Sequence, residues 1–265
     1  MASAQVVQGP PDVDTQPAMT REGVLWRRRA AVLVRPVMLG VVLLVLYLWV
    51  QAQTLDSIET RTLSPARIRL DLWQHVRLSL VATALTITIA VPLGVLLTRS
   101  FARWIKPIGL GLGNFGQAIP SIGLIVLLAL WLGIGFWSAV IGLVAYATLP
   151  ILRNTIVGLD GVDPALKEAA RGMGMSHLAV LRRVELPLAV PVILAGVRTA
   201  LVLTVATATL ATFIDAGGLG GGLITGIKLN RPTLTLTFGI LAAVLALFAD
   251  WVGGIAEEVL RPRGI

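Results

Sequence analysis

The sequence predicts an all-α protein, a polytopic membrane helix bundle of about six transmembrane helices. Composition is the first observation behind that expectation. The 265 residues are 56% apolar and 14% charged, with a mean hydropathy of +0.85, whereas a soluble domain carries about 25% charged residues. The second observation is the length of the apolar runs. A helix crosses the hydrocarbon core with about 20 mostly apolar residues, and six runs of that kind occur. The third is the placement of Lys and Arg, which fall between the runs and favour one side of them, the pattern that orients membrane helices.

In chain order the spans are expected at about 36–51, 76–98, 110–132, 137–157, 188–212 and 234–256. At 1.5 Å per residue, a stretch of about 22 residues reaches roughly 33 Å, enough to cross. Pro92, Gly94, Pro120, Gly123, Gly142, Pro150, Pro191 and Gly196 interrupt these runs. A bundle tolerates them because neighbouring helices satisfy freed carbonyls and small residues allow close packing.

With the N-terminus inside, the inner segments hold fifteen Lys and Arg and the outer segments six, Arg198 lying within a span. This places the chain in the cell (inner or plasma) membrane as a multi-pass protein with both termini cytoplasmic. The first 35 residues, with Pro10, Pro11, Pro17 and the run Arg27-Arg28-Arg29, read as a disordered, uncleaved cytoplasmic tail. The lipid bilayer is thus one partner. The formal net charge of +8 is accounted for by membrane orientation, so no nucleic acid is expected as a partner. There is no cysteine, and the two histidines, His75 and His177, lie far apart. Neither disulfide nor thiol chemistry is available, and no metal-ligand spacing can be built.

The most informative segment is Asp163 to Pro187, DPALKEAARGMGMSHLAVLRRVELP, between spans four and five. Asp163 can cap a short helix with Pro164 at its first position, where a missing N–H costs nothing. Leu166 to Arg171 are mostly good helix formers. Gly172 and Gly174 permit a turn. Ser176 can cap a second helix, His177 to Val184, and Pro187 opens the next span. The expected result is a helix–turn–helix on the cytoplasmic face. Met173, Met175, Leu178 and Leu181 give it an adaptable apolar surface, suited to a partner's groove. A packed surface loop without a partner fits the same local chemistry.

The spacing within the segment separates those readings. Glu168-Ala169-Ala170, three residues, Gly174, nine residues, the aliphatic Val184, one residue, and Leu186-Pro187 resemble the signature loop of the permease subunits of ABC importers, with Val for the commoner Ile. The resemblance covers most of residues 70–256. It implies the ABC type I importer permease fold, with a core permease domain over 76–256 and a coupling loop over 159–187. The remainder divides into the 1–35 tail, a first transmembrane helix and outer segment at 36–75, and a cytoplasmic C-terminal tail at 257–265. In that family the loop carries the coupling helix that enters a cleft of the ATPase, so Glu168, Ala169, Ala170, Gly174, Leu186 and Pro187 are expected to couple to ATP hydrolysis. The implied partners are cytoplasmic ATPase subunits, a second permease copy or paralogue, and an extracytoplasmic substrate-binding protein. No cofactor is expected on this chain, since no Walker-type sequence occurs. ATP and Mg belong to the partner ATPase, and the chain itself is no enzyme.

Three further stretches, Asn114 to Ser121, Leu149 to Thr155, and Ala216 to Gly220 with Ile224 and Gly226, resemble the permeases for osmoprotectant quaternary amines: glycine betaine, choline and carnitine. Other small polar solutes remain open, such as an amino acid like methionine, a phosphonate or a sulfonate. Asp215 stands where those permeases carry Gly, and the run Asp215, Gly217, Gly218 and Gly220 is expected as a close-packed outer gate or a re-entrant turn. Polar residues within spans are the default candidates for a translocation path: Asn114, Gln117, Ser121, Thr148, Asn154 and Thr207. Trp131, Trp137 and Tyr146 read as an interfacial belt or as cation–π partners. Arg198 reads as paired or snorkelling. Two other classes compete. An ion-driven secondary transporter calls for inverted repeats and midplane charges, and a membrane enzyme or assembly factor for clustered His, Asp or Glu. The sequence offers neither pattern.

Overall fold

The structure is a computed structural model that describes residues 21–260. The N-terminal 20 residues of the expected tail, and 261–265 of the C-terminal one, lie outside the described residues. Every regular element among the described residues is helical. The helices are α1 (Arg21–Gln51), α2 (Ser57–Thr62), α3 (Pro65–Leu97), α4 (Lys106–Ala118), α5 (Ser121–Leu132), α6 (Phe136–Asp160), α7 (Pro164–Gly172), α8 (His177–Val180), α9 (Leu186–Ala208), α10 (Gly220–Lys228) and α11 (Pro232–Leu260). Tight 3₁₀ turns occupy Ser100–Ile105 and Thr209–Ile214. A π turn, Leu181–Glu185, joins α8 to α9.

Five stretches are long and apolar enough to cross a membrane: Leu33–Gln51, Pro65–Leu97, Phe136–Asp160, His177–Ile214 and Pro232–Leu260. The sixth expected span is not one straight helix. It is the pair α4 and α5, bent by 97°. The bend falls at Ile119-Pro120, where Ile119 is extended (φ −72°, ψ 131°). Proline forbids the α conformation before it and removes a ladder N–H, so the helix stops there.

Three helix boundaries differ from the sequence expectation. Helix α1 begins at Arg21 rather than near 36, so 21–35 is helical where a disordered tail was expected. Helix α3 begins at Pro65, so 65–75 of the expected outer segment continue the second span as one helix. Its 33 residues extend about 50 Å, well beyond the hydrocarbon. The rest of that segment contains α2, opened by a capping box between Asp56 and Glu59. Finally, the second helix of the 163–187 segment does not end before span five but runs into it. Pro187 has no N–H to offer Arg183, and the chain widens into a π turn, with the Leu186 N–H bonded to the Leu181 carbonyl.

Helices α3, α6 and α9 form the centre. Leu78, Ala82, Ala139, Val140, Leu143 and Ala208 pack one half of it; Ala90, Ala147, Ile151, Leu152 and Ala200 pack the other. Lipid is as apolar as these side chains, so close backbone approach does the holding. At Gly196 an added Cβ would lie 2.6 Å from Asn154 Cβ. Helix α11 packs on α9 and α10, and α1 packs on α11. Val34, Val37, Leu44, Val45 and Leu48 of α1 are exposed, as a lipid-facing helix requires.

Candidate functional site

The connections gather at two opposite ends of the bundle. At one end the turn after α3 meets the α6–α9 connection. Arg99 donates to Glu185 Oε2 at 2.6 Å, with Glu185 buried, and Lys106 pairs with Asp160. Lys167 Nζ donates to the Leu159 carbonyl at 3.2 Å. These contacts hold the hairpin α7–α8. Within it Asp163 accepts from the Ala165 N–H at 2.8 Å, and Ser176 from the Ala179 N–H at 3.3 Å. Both caps fall where the sequence placed them. Gly174 turns the chain at φ 82°, a conformation that only glycine adopts freely.

The hairpin's packed side is small: Ala170 and Val180 are buried. Its outer side carries Glu168 and Ala169 exposed beside Leu166, Met173 and Leu178, which are 47%, 71% and 54% exposed. Between hairpin and bundle lies a cavity of about 690 Å³, lined in part by Arg99, Lys167, Arg171, His177 and Leu178. Leu186 and Pro187 are partly buried at the root of α9, so they support the hairpin rather than belong to its outer face.

At the other end, α2 and the turn between α10 and α11 are joined by an ion pair, Arg231 to Asp56. Beside them runs the glycine-rich loop. Asp215 (φ 54°), Gly217 (φ 80°) and Gly218 (φ 96°) are all left-handed, and Gly220 opens α10. Gln74 and His75 of α3 grip this loop. The Gly218 N–H donates to Gln74 Oε1 at 3.1 Å, and the Leu219 N–H to His75 Nδ1 at 3.3 Å. The opposite ring nitrogen of His75 is 2.9 Å from the Val205 carbonyl. Sequence reasoning passed over both residues. A lone histidine at the head of an apolar run carries no spacing signal, and its partners lie 130 and 144 positions away.

The polar residues expected along a path are dispersed. Thr148 Oγ1 donates to the Val144 carbonyl at 2.6 Å and Asn154 Nδ2 to the Pro150 carbonyl at 2.8 Å, each on its own helix. Gln117 crosses from α4 to the Tyr146 carbonyl at 3.2 Å. Asn114 is exposed, Ser121 partly buried at the start of α5, and Thr207 buried on α9. Arg198 is paired: its Nε and Nη2 each donate to Asp250 at 2.7 Å, and Arg35 reaches the same carboxylate at 3.3 Å. Trp131 and Trp137, 86% and 65% exposed, flank the α5–α6 turn.

Known proteins resemble this chain in sequence and in fold. Residues 90–262 match the family described as binding-protein-dependent transport system inner membrane component. The carnitine transport permease protein OpuCB of Listeria monocytogenes is 43% identical over 195 residues, 73% of this chain and 88% of that protein. The choline transport system permease protein OpuBB of Bacillus subtilis is 40% identical over the same shares. The osmoprotectant import permease protein OsmW of Salmonella typhimurium is 39% identical over 198 residues, 73% of this chain and 91% of that protein. Among solved structures, an inward-facing form of the MetNI methionine ABC transporter superposes with a TM-score of 0.64 at 24% identity, covering 76% of this chain and all of that one. The chain therefore belongs to the binding-protein-dependent transport system inner membrane component family, as a membrane-spanning permease subunit of an ABC importer.

Proposed function

We propose that this permease conducts quaternary-amine osmoprotectants, with glycine betaine, choline and carnitine as the substrate class. One observation carries the reading: relatives named for carnitine and choline transport are 43% and 40% identical across 73% of the chain. In this reading the hairpin end is cytoplasmic, both termini with it. Exposed Leu166, Met173 and Leu178 seat in the cleft of an ATPase subunit, with Glu168 and Ala169 at the contact. ATP and Mg bind that partner, and the chain performs no covalent chemistry. A second permease copy or paralogue completes the path, and an extracytoplasmic binding protein delivers substrate to the Asp215–Gly220 end. Closure of the ATPases then moves the hairpin, and the bundle alternates access by rigid-body rotation. Asn114, Gln117, Ser121, Thr148, Asn154 and Thr207 are the candidates to meet substrate in the opened state. Thr148 and Asn154 exchange their carbonyl partners for it.

The test is uptake of labelled glycine betaine by proteoliposomes holding the permease, its ATPase and its binding protein. Uptake is expected only with internal or external ATP at the ATPase side, and unlabelled choline or carnitine competes while methionine and methylphosphonate do not. Competition by methionine alone would move the substrate class. Uptake without ATP that collapses with an ionophore would replace the reading with an ion-driven one.

A further inference from the structure

Gln74 and His75 of α3 join the glycine-rich loop to α9. His75 is fully buried, yet both its ring nitrogens are engaged. Leu219 offers an N–H, so Nδ1 is the acceptor. Val205 offers a carbonyl, so Nε2 carries the proton and donates. Only the neutral imidazole with its proton on Nε2 makes both bonds.

The carbonyl that His75 takes is a helix terminus. Val205 lies in the last turn of α9, which ends at Ala208 where the chain tightens into the 3₁₀ turn Thr209–Ile214. The Val205 carbonyl is thus one of the acceptors a helix end leaves over, and an imidazole from α3 supplies the donor. On its other side the same ring accepts from the glycine-rich loop, while Gln74 accepts from the preceding N–H. An added Cβ at Gly218 would lie 3.2 Å from Nδ1, so the loop is seated directly on the ring.

This carbonyl also lies toward the far end of a long helical stretch. From His177 to Ile214 the chain is one helical stretch of 38 residues. It starts in the hairpin and ends at the loop. That stretch connects the hairpin to the carbonyl bonded to His75. We propose that His75, with Gln74, is the latch of the outer loop: its bond to the Leu219 N–H holds the loop shut, and its bond to the Val205 carbonyl passes the displacement of the helical stretch to that latch. His75 is a positioning residue: it touches no substrate, and acts through the loop. The inference rests on the proposed gate at Asp215–Gly220.

The experiment uses the assembled transporter with its ATPase and binding protein. The chain has no cysteine, so Ala216→Cys introduces a single reporter beside the loop, read by a membrane-impermeant maleimide without nucleotide. Two substitutions split the ring's duties. His75→Asn retains an acceptor near Nδ1 and loses the donor. His75→Gln retains a donor near Nε2 and loses the grip on Leu219. In the Ala216→Cys background, His75→Gln is expected to label about tenfold faster, the equivalent of one hydrogen bond, while His75→Asn labels at the parent rate. Uptake per ATP hydrolysed falls in both, because each breaks one of the two bonds, while the amount and elution of assembled transporter stay unchanged. Equal labelling of parent, Asn and Gln variants would overturn the latch. So would an equal rise in both variants, which marks a packing role, or unchanged uptake per ATP. A parent that hydrolyses ATP but takes up no glycine betaine would refute the substrate reading alone, since the labelling contrast is read without substrate.

Discussion

The hairpin from Asp163 to Val180 and the loop from Asp215 to Gly220 both turn on left-handed glycines, yet they are built in opposite ways. The hairpin is capped by its own neighbours and leaves Leu166, Met173 and Leu178 to the surroundings. The bonds that cap and turn it span a few residues, and the long-range Arg99–Glu185 tie fixes only its root. The loop is shaped by bonds to residues more than a hundred positions away, and Gly218, Leu219 and Gly220 are buried. An element that must fit a partner presents side chains outward and can be rigid by itself. In the proposed gate, the loop is held by contacts that can be given up when it opens.

Substitutions should break this contrast in a graded order. The largest effect is expected at Gly220, where a Cβ would collide with the Thr209 carbonyl. Backbone has nowhere to yield, and Gly220→Ala should cost about 3 kcal/mol, seen as a clear fall in the thermal midpoint of the detergent-solubilised protein. Next comes the tie at the root of the hairpin. Glu185→Gln removes the carboxylate from Arg99, whose side chain is 27% exposed. Discounted for that exposure, the loss is about 1–2 kcal/mol, or roughly 3 °C per kcal/mol. A midpoint that did not move would mean that the hairpin is anchored by apolar contacts alone.

Smaller still is the cap. Ser176→Ala should cost about 1 kcal/mol, confined to the hairpin, so the readout is faster amide exchange at Ala179 with an unchanged global midpoint. The smallest effect concerns pH at the opposite end. The Glu59 N–H foremost, opposed in part by desolvation and aided by Arg231, holds the Asp56 carboxyl below its ordinary range. A depressed carboxylate contributes stability that is complete above its unfolded pKa and is lost as pH falls through the folded one. Proteolytic nicking within 52–64 should therefore stay constant at neutral pH and rise only in strong acid, while Asp56→Asn nicks more readily throughout.

The same contrast explains what the sequence could disclose. Spans of about 20 apolar residues are visible because lipid imposes their length, and Asp163, Ser176 and Gly174 are visible because caps and turns are local chemistry. The bend at Ile119-Pro120 was only half visible: the proline marks a breaker, but whether a broken run stays straight depends on what α4 and α5 pack against. The merger of α8 with α9 depends on a π turn that no propensity encodes. Thr148 and Asn154 look like path residues until their bonds to Val144 and Pro150 are seen. Gln74 and His75 were silent because their meaning lies entirely in Val205, Gly218 and Leu219.

The claim that matters most is that the hairpin is where the motor engages, and Gly174→Asp addresses it most directly. The side chain meets open space, but the φ of 82° strains the hairpin's turn, so the bundle should still insert while the hairpin's shape is lost. Measured together in proteoliposomes, ATP hydrolysis and glycine betaine uptake should separate: uptake falls to background while the permease remains in the membrane at parent levels. ATP-driven uptake at the parent rate would contradict the account.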